Sequence, residues 1–229
     1  MYDLTRRQLI TTGATAMVGL AFLPSIAFAS EGNSNHILPK PNFRCSVMSS
    51  DGQLLLSKGS NIEASFAMNS NVDSFFLDDA LVVKNNLDGT VTNSYEASLV
   101  KHSSSSGSQL YSIGTNEENQ VAARVKIEIT YDILGQKIKI SRAVGTVEKK
   151  ASYANIISRS MAVSQGLIGE QLLDAVFTTT SHTINTGWGY VPYKSTQDSA
   201  FLALNGGECV GEVNVVGMGE TLIRAEWTI

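Results

Sequence analysis

The chain's clearest signal is a period of two. Between residues 121 and 133, Val121, Ala123, Val125, Ile127, Ile129 and Tyr131 alternate with Ala122, Arg124, Lys126, Glu128 and Thr130. Successive side chains of a strand point to opposite faces, so this run offers one apolar face and one mostly charged face. On a helix the same residues would scatter around the whole surface. Gly135 breaks the run, and 136–144 resumes it with Ile138 and Ile140 on the apolar side. The pattern predicts a hairpin of 121–133 with 136–144.

Weaker strand signals recur along the chain. Asp51-Gly52 separates 43–48 from 53–56, and Asp88-Gly89 separates 81–84 from 90–100. Asp-Gly supplies the positive φ that tight hairpin turns require. Further strands are predicted over 62–68, 155–164, 201–204, 212–216 and 221–229. In the last, Ile223, Ala225, Trp227 and Ile229 alternate with Arg224, Glu226 and Thr228, so the C-terminus is expected to be tied into a sheet. One segment reads two ways. Ile168, Leu172, Leu173, Val176 and Phe177 recur at helical spacing, which allows a short helix over 168–177. The run Val176-Phe177-Thr178-Thr179-Thr180 favours a strand instead. About ten short strands with tight turns predict an all-β chain, an antiparallel β-sandwich of the immunoglobulin-like or jelly-roll-like kind, with a barrel as the alternative. The low-complexity loop 103–108 reads as a link within one domain over 43–229, or as a linker between two small ones.

Composition narrows the functional classes. The 229 residues carry 17 Lys and Arg against 21 Asp and Glu, a formal charge of −4. That balance argues against nucleic acid as a partner, which calls for a basic face. With 43% hydrophobic and 17% charged residues, the chain is neither a disordered tail nor a fibre. Two cysteines are too few for a disulfide-dense miniature or for a four-thiolate metal site.

The N-terminus carries the most specific motif. Thr5-Arg6-Arg7-Gln8-Leu9-Ile10 opens an uncharged stretch that ends in Ala27-Phe28-Ala29, a small-x-small cleavage pattern. Residues 1–29 resemble a bacterial twin-arginine signal peptide, with the match carried by Arg6, Arg7, Leu9 and Ile10. The resemblance implies recognition by the twin-arginine export machinery, cleavage by signal peptidase after Ala29, and an exported product in the extracellular space, cell wall or periplasm. A general secretory signal and an uncleaved anchor are the alternatives. Gly13, Gly19, Pro24 and several hydroxyl residues weaken the anchor reading. No stable membrane anchor is expected after cleavage. Residues 30–42, polar and with Pro39 and Pro41, read as a mobile leader.

Catalytic chemistry has little purchase. His36, His102 and His182 lack the spacing that sets two imidazoles on one metal, so neither a metal nor another cofactor is expected. No nucleophile-elbow serine is present. Asp78 and Asp79 form the one obvious carboxylate cluster, read as a strand-to-turn transition. Together with His102 and His182 they are the acids or bases an exported hydrolase would have to use. Asn86-Leu87-Asp88-Gly89 resembles the middle of a calcium loop, but Lys84 and Tyr95 stand where acidic ligands belong, and the turn reading prevails. Cys45 and Cys209, in an exported chain, invite a disulfide; two buried free thiols are the alternative.

The segment Thr186-Gly187-Trp188-Gly189-Tyr190-Val191-Pro192-Tyr193 gathers three aromatics within six positions, each next to Gly or Pro. In a loop, Trp188, Tyr190 and Tyr193 would offer flat faces to a sugar ring or a protein surface. In an extended segment, Trp188 and Tyr190 share a face and pack on the core. The expectation is therefore a non-catalytic exported module that binds cell-wall polymer, glycan or a surface protein. The alternatives are an exported hydrolase and a structural subunit of an envelope assembly.

Overall fold

The computed structural model describes residues 41–59, 75–101, 121–166, 171–192 and 205–229. The described strands lie in one compact unit, Leu38–Ile229. They form two antiparallel six-stranded sheets packed face to face, an all-β sandwich. One sheet contains β1 (Asn42–Ser49), β2 (Leu54–Gly59), β7 (Ala154–Gln165), β8 (Gln171–Val176), β11 (Gly206–Val215) and β12 (Gly219–Thr228). Its order is β2-β1-β12-β11-β7-β8. The other contains β3 (Phe75–Asn85), β4 (Val91–Lys101), β5 (Val121–Leu134), β6 (Lys137–Lys149), β9 (Ser181–Asn185) and β10 (Val191–Pro192). Its order is β3-β4-β5-β6, with β9 and β10 both pairing along β6.

The period-two segments form as expected. Ala123, Val125, Ile127 and Ile129 of β5 are fully buried, while Arg124, Lys126 and Glu128 face outward. The outward charges pair locally, Arg124 with Glu96 at 2.8 Å on the next strand, and Lys126 with Glu128. Three Gly turns with positive φ, at Gly52, Gly89 and Gly135, close the β1–β2, β3–β4 and β5–β6 hairpins. At Asp88 the turn is held by its carboxylate, which accepts from the Thr90 N–H at 3.0 Å and the Thr90 hydroxyl at 2.7 Å. That contact holds the Asp88 carboxyl below its ordinary pKa. The 86–89 segment is thus a hairpin turn.

The sheets are joined by facing apolar rows. Trp227 of β12 lies 5.1 Å from Tyr131 of β5, and Phe43 of β1 lies 5.2 Å from Tyr95 of β4, centroid to centroid. Tilted aromatic pairs at this separation add to what their area burial contributes. Glycines let the sheets approach. A Cβ on Gly211 of β11 would lie 2.6 Å from a Val147 methyl of β6.

Three expectations are revised. Gln171–Val176 is strand β8, paired with β7, and not a helical turn. Edge pairing to β7 satisfies one side of its backbone, and it leaves Leu172, Leu173 and Val176 exposed, so no helical apolar face is buried. Asp78 and Asp79 lie within β3, not at a turn. Strand β11 begins at Gly206, before the expected 212. Its early glycines are demanded by crowding, since a Cβ on Gly206 would meet the Trp227 carbonyl oxygen at 2.5 Å. The expected strands 62–68 and 201–204 and the serine loop 103–108 lie outside the described residues.

Candidate functional site: an aromatic rim on the β5–β6 hairpin

The aromatic segment sits where the edge of β6 is interrupted. Strand β9 pairs with Arg142–Thr146 and β10 with Lys137 and Ile138, and between them the chain stands off from β6. The cause is a buried side chain. Gln165, at the end of β7 and 1% exposed, inserts its amide there. Its Oε1 accepts from the Ile140 N–H at 2.5 Å, the donor that a neighbouring strand would otherwise satisfy. Its Nε2 donates to the Gly189 carbonyl at 2.6 Å and to Gln171 Oε1 at 3.0 Å. Thr186 holds the start of the segment, its hydroxyl donating to the Ile140 carbonyl at 2.5 Å and its N–H to the Ser141 carbonyl at 3.1 Å.

This arrangement separates the three aromatics. Trp188 is half-buried and packs against the core. Tyr190 is 38% exposed and lies over the hairpin end. Its hydroxyl donates to the Asp132 carboxylate, and the Lys139 ammonium stands 5.7 Å from its ring centroid. Asp132 and Lys139 are directly opposed across β5 and β6, so the hairpin register itself brings anion, cation and ring together. The bond to Asp132 pushes the Tyr190 phenol above its ordinary pKa, because ionisation would place two negative charges in contact. Tyr193 lies outside the described residues. Sequence reasoning missed Asp132, Lys139 and Gln165. The first two share an outward face of a recognisable hairpin, whereas nothing local distinguishes Gln165 from any polar strand end.

Among the described residues, the acid–base candidates do not converge. Asp79 receives a 2.5 Å contact from Lys58 of β2 and a 3.0 Å hydrogen bond from the Tyr95 hydroxyl, and Asp78 lies 3.7 Å from the same lysine. Burial works against the Lys58 charge, but the hydrogen bond it donates to Asp79 and the two nearby carboxylates outweigh it and raise its pKa. His182 is on β9, stacked on Phe177 at 5.6 Å. Strands β3 and β9 are at opposite margins of one sheet, four interstrand spacings or about 19 Å apart. His182 therefore forms no pair with Asp78 or Asp79. His102, His36, Arg6, Arg7, Ala27 and Ala29 lie outside the described residues.

The cysteines form no disulfide. Cys45 of β1 and Cys209 of β11 both stand opposite Ala225, on either side of β12. Two interstrand spacings put their Cα atoms about 10 Å apart, beyond the ~7 Å a disulfide can bridge. The reading that survives is two buried thiols. Burial pushes Cys45 up to about 11 and Cys209 up to about 12. Among the described residues no group of three or more His, Cys, Asp or Glu gathers to hold a metal ion. Nor is any helix there long and apolar enough to cross a membrane.

No family model, no curated protein and no solved structure matches this chain.

Proposed function

We propose that the chain is an exported, non-catalytic binding module that holds a glycan or cell-wall polymer at the rim formed by Tyr190, Lys139 and Asp132. The observation that carries this reading is the exposed Tyr190 ring set between an opposed cation and anion. A flat aromatic face suits the C–H face of a sugar ring, and the flanking charges suit its hydroxyls. The supporting frame is rigid, because the segment is clamped by Gln165 and Thr186 to β6. Export rests on the twin-arginine-like start and the Ala27-Phe28-Ala29 pattern. Its partners on that route are the export machinery and signal peptidase.

The test is a pull-down on isolated cell wall and a glycan panel, with Tyr190→Ala and Lys139→Ala alongside the unaltered protein. Retention by the unaltered protein, with about tenfold weaker binding in Tyr190→Ala while it remains folded, supports the rim. Retention that survives both substitutions places the ligand elsewhere. No retention on any bait removes the glycan reading.

A further inference from the structure

Strand β3 has an edge that folded proteins ordinarily protect. The other marginal strands are blunted. Strand β2 has six residues and an irregular register against β1, β8 has six residues, β9 five, and β10 two with a proline. Strand β3 runs eleven residues without proline, glycine or bulge, and among the described residues it pairs only with β4. Its centre is apolar on both faces. Leu81 is 46%, Val82 61% and Val83 57% exposed.

The hydrogen-bonding parity of this edge follows from the hairpin. Asn86 donates its N–H to the Thr90 carbonyl, and pairing runs from there to Phe75 without a register shift. Bonded and non-bonded pairs alternate in an antiparallel ladder, so the even-numbered residues bond toward β4. Asp79, Leu81, Val83 and their odd-numbered neighbours turn N–H and C=O outward. The Asp79 N–H agrees with this, because the Asp78 carboxylate accepts it at 3.0 Å.

We propose that this edge binds a second copy of the chain, β3 pairing antiparallel with β3 about a twofold axis at Leu81. The strand is self-complementary in that register. Leu81 meets Leu81, Asp79 meets Val83, and these are the residues whose backbone groups face outward. On the outer face Ala80 meets Val82, and Asp78 meets Lys84 of the second copy. By symmetry the charge pair occurs twice. Lys84 makes no ion pair among the described residues, and the Asp78 side chain, with Lys58 3.7 Å away on one side, is still 66% exposed to a second cation. Shifting the pairing by two residues in either direction loses the Asp78–Lys84 match. Charge complementarity thus selects one register of one partner. The inference is independent of the aromatic rim, which lies at the far margin of the same sheet.

Sedimentation velocity on the full chain across the micromolar range tests this. The expected result is a reversible monomer–dimer equilibrium. Leu81→Pro removes an outward N–H that β4 does not use, and it is expected to leave a folded monomer. Lys84→Asp sets like charges opposite each other twice and is expected to weaken the dimer about tenfold. The double variant Asp78→Lys with Lys84→Asp restores the pairs with their signs exchanged and is expected to recover the dimer. A monomer at every concentration overturns the proposal, as when the edge is covered by the chain's own residues. So does a dimer indifferent to Leu81→Pro, or a double variant no stronger than Lys84→Asp alone.

Discussion

Cys45 and Cys209 show how a residue's chemistry is decided by what separates it from its like. Each is fully buried, each faces the core, and Ala225 lies between them. Because burial raises both thiols to about 11 and about 12, neither is a thiolate near neutrality. Alkylation in native buffer is therefore expected to leave both unmodified, and alkylation in denaturant to label both, with intact mass as the measurement. Oxidising and reducing buffers are expected to give the same thermal midpoint. The sequence left a disulfide and two buried free thiols both open and could not choose between them. The cysteines are far apart in the chain, and only the insertion of the last strand between theirs sets their spacing. Asp79 is a similar case. Beside Asp78 it reads as a turn, yet it is an inward-facing strand residue at the sheet margin, made tolerable by Lys58 and Tyr95. Trp188 and Tyr190, by contrast, were recognisable as residues of interest, and the split between packing and surface exposure needed the structure.

Among the elements, legibility tracked the length and regularity of the strand. Strand β5 alternates strictly from Ala123 to Tyr131, β6 alternates on either side of one bulge, and the two pair through a tight turn, so period and turn chemistry agree. Strands β8, β9 and β10 are short, lie at margins and bury little, so no alternation marks them. The gap between β9 and β10 depends on Gln165, a residue from the opposite sheet. Gln165→Leu is expected to destabilise the protein by about 1–3 kcal/mol, since the buried Ile140 N–H loses its acceptor and the part-buried Gly189 carbonyl its donor. A shifted urea midpoint measures this. The two tryptophans report where the change occurs. Emission from Trp188 is expected to move to longer wavelength in the native variant as its segment loosens, while Trp227, 1% exposed, stays in the core.

For the whole molecule, alkaline pH is the informative stress. Burial raises the phenol of Tyr95, and also that of Tyr131, where the hydrogen bond from Asn93 only partly offsets it. In the unfolded chain both ionise near the ordinary value of 10. The folded state then holds protons that the unfolded state has released, so stability is fully present below that value and falls as pH rises past it. Ultraviolet titration is expected to show some tyrosines ionising reversibly, and the buried ones only with a cooperative loss of near-ultraviolet circular dichroism. The sandwich also sets an order of events during synthesis. The last strand, β12, joins β1 and β2 to β11, β7 and β8. Until Gly219–Thr228 has left the ribosome, that sheet exists only as two unconnected halves, and neither can complete the core. Without β12, β1 and β11 each keep an open edge where it belongs, while the facing sheet has all of its own strands. The strand that comes last of those described is thus the one on which closure of this sheet waits.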